Sequence, residues 1–296
     1  MKHALSILIF LTFSQFMRSQ NTILWKVTDT VNNKTSFIVG TFHQIGNSFV
    51  DSIPQIKENL KNSDLALFES IDKVDDTRKI IENRQRSNEI EKKLKRKDLI
   101  KLKEIARNWK VDLYKLKPIE IRWKLQQEYP KKVCGTVKST DVFDHFDNYL
   151  KHLAKENNVK LLGLETNQLD IIEKEYKNPS WKKERKNISV WIKKITTDKR
   201  NLKNCVYENK YMDFALEYDF KKECESNYII LQRNNEWMKT IPNLLRTKNT
   251  FIAVGIEHLK SKCGILRQLE NLGFKIEPIV IKPVVNKELW LKTSKN

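Results

Sequence analysis

A chain of 296 residues with a hydrophobic fraction of 40% can bury a substantial core, which excludes a globally disordered polymer. Its 56 Lys and Arg against 37 Asp and Glu give a formal net charge of +19, a balance that by itself points to nucleic acid or an anionic surface. The basic residues are nevertheless spread along the chain with acids between them, and no zinc-finger spacing, RNA-binding signature or P-loop occurs, so a nucleic-acid partner is not expected.

The chain opens Met1-Lys2-His3 and then runs through thirteen largely apolar residues from Ala4 to Phe16. A basic start followed by an apolar stretch shorter than the roughly 20 residues needed to span a bilayer reads as a secretory signal. Residues 1–19 are therefore assigned to a signal peptide and 20–296 to a single domain. The mature chain is expected to be exported, to a periplasm or to the medium, without a transmembrane helix. The four cysteines, Cys134, Cys205, Cys224 and Cys263, show no C-x-x-C spacing. In an exported chain they allow one or two disulfides, with Cys205–Cys224 the preferred pair, and four buried thiols are the alternative.

Ile23–Val27 and Thr35–Val39 flank the turn-type pair Asn32-Asn33 and predict an opening hairpin. The second strand runs into Gly40-Thr41-Phe42-His43. Ser52 to Asn62 reads as a helix with Ser52 as N-cap and Pro54 in its first turn. Asp64–Phe68 is an apolar strand ending on Glu69. The charged region from Asp75 to Trp123 carries broken helical stripes, and its Lys-rich runs read as solvated helix surface. Pro118 opens a helix that Pro130 is expected to end, and Asp144–Asn157 forms another. Val159–Leu164 is a third strand, followed by Glu165-Thr166. Several helices occupy Ile171–Leu245, with Pro179 as a break. Phe251–Val254 is a fourth strand, which delivers Gly255-Ile256-Glu257-His258. A helix ending before Gly273 and an edge strand containing Pro278 close the pattern. The reading is an α/β fold in one globular domain, its β-sheet core in two related, strand-rich halves surrounded by many helices.

Four apolar strands thus end on His43, Glu69, Glu165 and His258, and two of them share the device strand-Gly-x-x-His. In open α/β sheets, ligands bind beyond the carboxyl ends of the strands. Imidazoles with carboxylates suit a first-row divalent ion such as Zn, Mn, Co or Fe, and a carboxylate outside the ligand set can act as general base. A glutamate at a strand-to-helix junction equally serves as a cap or ion-pair partner.

The order of motifs resembles the TraB/GumN family. It comprises Leu24-Trp25-Lys26-Val27, Gly40-Thr41-Phe42-His43, Asp64–Glu69, Lys117-Pro118, Asp147-Asn148-Tyr149-Leu150, Gly163-Leu164-Glu165-Thr166 with Gln168, Arg233-Asn234 with Trp237, and Val254–Leu259 with Gly264-Ile265-Leu266 and Leu272-Gly273-Phe274. The resemblance runs from about Ile23 to Val280. It implies an erythromycin-esterase/ChaN-like fold and, by analogy with the family's animal Tiki branch, a metal-dependent peptidase using manganese or cobalt on a peptide or protein substrate. It also implies that His43 and His258 are metal ligands, that Glu69 and Glu165 are ligands or general base, and that Arg233 is a polar catalytic residue stabilising an oxyanion. The alternative is a non-catalytic binding protein for a peptide, haem or another small ligand. Where family members often carry a small or β-branched residue followed by Ile, this chain has Thr41-Phe42, a bulkier pair.

Overall fold

The expected hairpin forms: β1 (Leu24–Asp29) and β2 (Lys34–Thr41) run antiparallel in register from Leu24 opposite Val39 to Asp29 opposite Lys34. Asn33 takes φ 51° in the turn, a left-handed conformation that Asn tolerates through its short polar side chain. This computed structural model describes residues 22–71, 74–165, 180–201, 203–224 and 228–281. The leader 1–19, Thr166 and Gln168, and the break at Pro179 lie outside the described residues.

β3 (Leu65–Phe68), β4 (Lys160–Gly163), β5 (Thr250–Gly255) and β6 (Lys275–Pro278) complete one sheet in the order β4-β3-β5-β2-β1-β6. The pairs β4–β3, β3–β5 and β5–β2 are parallel, while β1 is antiparallel to both β2 and β6. β3 is buried throughout and β5 nearly so, as expected of parallel strands covered on both faces, and both read as unbroken apolar runs rather than alternations. Pro278 lies in the edge strand, where a missing N–H costs no ladder bond. The two strand-rich parts of the chain do not form separate sheets. β5, from the later part, inserts between β2 and β3 from the earlier part.

This topology positions the site. The four parallel strands end along one edge, with Thr41 opposite Gly255 and Phe68 opposite both Ala253 and Gly163. The two Gly-x-x-His segments therefore leave adjacent strands at the same level.

Helices α1 (Asn47–Asp51), α2 (Pro54–Lys61) and α7 (Phe146–Glu156) pack together, with α2 against β2 and α7 against β4 and β5. Trp25, Phe68, Phe146, Tyr211, Trp237 and Phe251 are the bulkiest side chains sealed in the core around the sheet. A second apolar cluster joins α4 (Glu89–Lys93), α5 (Arg96–Ile105), α6 (Pro118–Lys132) and α8 (Trp181–Thr197) through Ile90, Leu102, Ile121, Leu125, Ile188 and Ile192. Among the described residues, no helix is long and apolar enough to cross a membrane.

Three expectations are corrected. Ser52 is not the cap of α2: Ile53 precedes its first residue, and the Ser52 hydroxyl donates to the Phe49 carbonyl at 2.6 Å, closing α1. α6 continues past Pro130 to Lys132, because Val133 and Cys134 still donate to the carbonyls of Tyr129 and Pro130 at 2.8 and 3.2 Å. The disulfides are Cys134–Cys205 and Cys224–Cys263, not Cys205–Cys224, and no described cysteine is free. Cys205 precedes α9 (Val206–Met212) and is buried against Tyr129 and Val133 at the end of α6. Cys224 instead follows a segment hydrogen-bonded to the Cys263 loop, with Ser261 N–H donating to Tyr218 O and Lys262 N–H to Lys222 O.

Candidate functional site

His43 leaves β2 in a loop zipped to the segment before α7. Gly46 N–H donates to Thr136 O, Asn47 N–H to Phe143 O and Phe146 N–H to His43 O, each at 3.0 Å. These bonds bring Asp147, in the first turn of α7, under the His43 ring. The Asp147 Oδ2 lies 2.6 Å from His43 Nδ1, and its Oδ1 accepts from the Thr41 hydroxyl at 3.0 Å. Asp147 is buried while the His43 side chain is 39% exposed, so the imidazole is anchored at the back and open at Nε2.

His258 sits in the 3₁₀ turn Ile256–Leu259 after β5. Gly40 lets this turn lie directly on β2: a Cβ there would press on the Ile256 side chain and stand 2.9 Å from Leu259 Cδ1 and 3.3 Å from the Ile256 Cα. Asn234, buried on α10 (Tyr228–Trp237), accepts at Oδ1 from His258 Nδ1 at 2.6 Å and donates to the carbonyls of His258 and Cys263 at 3.1 and 2.9 Å. With both Asn234 amide hydrogens directed at carbonyls, the His258 proton belongs on Nδ1 and Nε2 carries the lone pair.

Glu69 and Glu165 follow the paired strands β3 and β4, whose ladder extends as Leu164 N–H to Phe68 O at 2.8 Å and Glu165 N–H to Glu69 O at 3.0 Å. The two carboxylates share Arg233 of α10. Its Nη2 donates to Glu69 Oε2 at 2.5 Å and to Glu165 Oε1 at 2.7 Å, and its Nε to Glu165 Oε2 at 2.9 Å. Arg233 Nη1 is 3.3 Å from His258 Nε2, and Glu69 Oε1 is 3.8 Å from the same nitrogen. Trp237 walls the group, its ring 4.7 Å from the Arg233 Cζ and 4.4 Å from the His258 ring.

All five expected residues thus gather at one place. Gly255 marks the centre: its N–H donates to Glu69 Oε1 at 2.7 Å, and a Cβ at this position would stand 3.1 Å from that oxygen, 3.7 Å from His258 Cδ2 and 3.9 Å from His43 Nε2. The missing side chain leaves a space ringed by two imidazoles and a carboxylate.

Burial opposes charge on His43, but the neighbouring Asp147, with Glu69, more than offsets it and raises the pKa to about 9. Burial likewise opposes the Asp147 carboxylate, yet the charge of His43 and its hydrogen bond hold that carboxyl well below the usual range. Glu69 is pulled down against burial to about 2 by His258, His43 and Arg233. Burial drives His258 down to about 4 although Glu69 opposes it, which keeps this imidazole neutral. Three carboxylates face two cations, so the site holds a surplus negative charge.

His43, His145 and Asp147 offer ligand atoms within 4.8 Å of one another, a grouping that can hold a metal ion. The two imidazoles, however, stack at 5.1 Å between centroids with their planes 22° apart. Nearly parallel rings aim their in-plane lone pairs side by side rather than at one point. Asp147 is accordingly read as the orienting partner of His43, a common arrangement behind a metal-ligating imidazole. The donor atoms of His43, His258 and Glu69 around Gly255 form a wider grouping, not all within 4.8 Å of one another.

Comparison with known proteins agrees with the order of motifs. A family model, the TraB/PrgY/gumN family, matches residues 23–278. The chain belongs to this family. No curated protein and no solved structure matches it. Within this family member, Asp147, Asn234 and Thr41 are the site residues that the strand-end reading missed. Asp147 and Asn234 stand in the quoted segments Asp147-Asn148-Tyr149-Leu150 and Arg233-Asn234, so motif order held a signal that residue type alone did not. Asn234 and Glu257 also line a cavity of about 580 Å³ whose lining residues include no histidine.

Proposed function

We propose that this chain is an exported metal-dependent hydrolase, most simply a peptidase acting on a peptide or protein. One observation carries the reading: His43 Nε2, the His258 ring and Glu69 Oε1 converge on the space left by Gly255, with a polar partner behind each imidazole. Hard carboxylate and imidazole donors suit manganese, cobalt or zinc. Such an ion, when bound, supplies Lewis acidity toward a carbonyl and lowers the pKa of water.

The chain's own residues do the rest. His43, on giving up the second proton that Asp147 and Glu69 hold on it, would join His258 and Glu69 in holding the ion, with Asp147 and Asn234 fixing the tautomers that present Nε2. Arg233, steadied by both oxygens of Glu165, brings positive charge to an oxyanion developing on the substrate. Two disulfides support export, since they persist in oxidising compartments, and the apolar stretch after Met1-Lys2-His3 agrees.

The test is a peptide-library digest analysed by mass spectrometry, run on purified protein before chelation, after chelation and after restoring Mn, Co or Zn. Cleavage should vanish on chelation, return with one of the ions, and be absent from His43→Ala and His258→Ala. Cleavage that survives chelation or both substitutions would overturn the metal-dependent reading, and binding of peptide without cleavage under every ion would favour a non-catalytic role.

A further inference from the structure

We infer that Arg233 is a displaceable counterion: its guanidinium engages the side-chain atoms an ion needs, so loading the site and releasing Arg233 from His258 are a single event. The inference rests on the reading that His258 and Glu69 hold the ion, and it goes further by assigning a competitor already built into the chain.

A neutral imidazole has one donor nitrogen and one acceptor nitrogen. Asn234 Oδ1 takes the proton of His258 Nδ1, which leaves Nε2 as the acceptor. Arg233 Nη1, a donor only, lies 3.3 Å from it. The same lone pair cannot serve a hydrogen bond and a metal bond. Glu69 is engaged in a similar way, with Oε2 against Arg233 Nη2 at 2.5 Å and Oε1 against the Gly255 N–H at 2.7 Å.

Charge points the same way. Metal–nitrogen and metal–oxygen bonds are about 2.0–2.2 Å long, so an ion joining Nε2 and Oε1, now 3.8 Å apart, would sit beside Nη1. Two buried cations at such a separation repel strongly. Arg233 need not leave the site, because Glu165 grips it at Nε and Nη2 at 2.9 and 2.7 Å. A pivot about that bidentate pair frees Nη1 from His258 and draws it back onto Glu165, away from the space beside Gly255 and free to donate to a substrate oxyanion at the rim of the site. One movement then exchanges a resting counterion for a loaded site with an available donor.

The experiment is a titration of metal-stripped full-length protein with Co²⁺, followed by calorimetry and by tryptophan fluorescence, with Trp237→Phe as the control that isolates, among seven tryptophans, the ring 4.4 Å from His258. Arg233→Gln should bind Co²⁺ about tenfold more tightly than wild type or better, a difference that corresponds to about 1.4 kcal/mol. Arg233→Lys, which keeps a cation but loses the fork, should fall between the two. His258→Ala should lose the site. Equal or weaker binding by both Arg233 variants, with wild type binding and His258→Ala failing to bind, would overturn the counterion role while leaving the metal reading intact. Should Arg233→Gln fail to fold, affinity in Arg233→Lys no tighter than wild type is the overturning result. Binding by His258→Ala equal to wild type, or no binding by any variant, would instead remove the metal reading and this inference with it.

Discussion

Asp147→Asn keeps the shape of the side chain and its bond from Thr41 but removes the charge under His43. In wild type, His43 has its pKa raised from 6.5 to about 9. A raised pKa contributes stability that is fully present below the unfolded value and lost as pH climbs through the folded one. Asp147 has a lowered pKa, so its contribution is present above the usual carboxylate value of 3.8 and is lost as pH falls. At about 1.4 kcal/mol per tenfold in acidity, the His43 shift corresponds to roughly 3 kcal/mol. The side chain is 39% exposed, and screening by water reduces this to about 1–2 kcal/mol. Urea unfolding of metal-stripped protein near pH 6 and near pH 10 is the assay: wild type should lose about 1–2 kcal/mol more than Asp147→Asn across that interval. Parallel stability curves for the two proteins would refute the ion pair.

Three further outcomes follow from the same geometry. Gly255→Ala places a methyl group 3.1 Å from Glu69 Oε1 and in the central space; calorimetry should show metal binding weakened by about tenfold or more, with the circular dichroism spectrum unchanged. Gly40→Ala forces the Ile256–Leu259 turn off β2, an overpacking that should cost about 1–3 kcal/mol in chemical denaturation. Replacing both Cys134 and Cys205 with Ser opens a bridge spanning 71 residues of sequence; in the chain-entropy account this lowers stability by about 4 kcal/mol, measurable as a fall in the urea midpoint.

The strands and their ends were legible because short apolar runs bounded by glycine leave few alternatives. Thr35–Val39 and Phe251–Val254 are each too short and too β-branched or aromatic to be helices. What the sequence left open was neighbourhood. That β5 lies between β2 and β3, and so carries His258 beside His43, depends on strand order, which no local pattern encodes. Asp147 was hidden for a related reason. An aspartate in the first turn of a helix is already accounted for by the helix dipole, and only the Thr41 and His43 bonds across 106 and 104 residues reveal its second role. The pairing of Cys205 failed similarly, because closeness along the chain says little once α9 carries the intervening segment to the Cys263 loop. Pro130 predicts a stop because its ring removes one hydrogen bond, yet the bonds on its carboxyl side close and the helix continues to Lys132.

The most direct test is anomalous diffraction from crystals grown with Mn²⁺. The account predicts a peak beside Gly255, within about 2.0–2.3 Å of the His258 Nε2, with His43 and Glu69 turned toward it and Arg233 drawn back onto Glu165. A peak confined to surface carboxylates, or Mn²⁺-soaked crystals in which Arg233 still donates to His258 with no density beside Gly255, would contradict it.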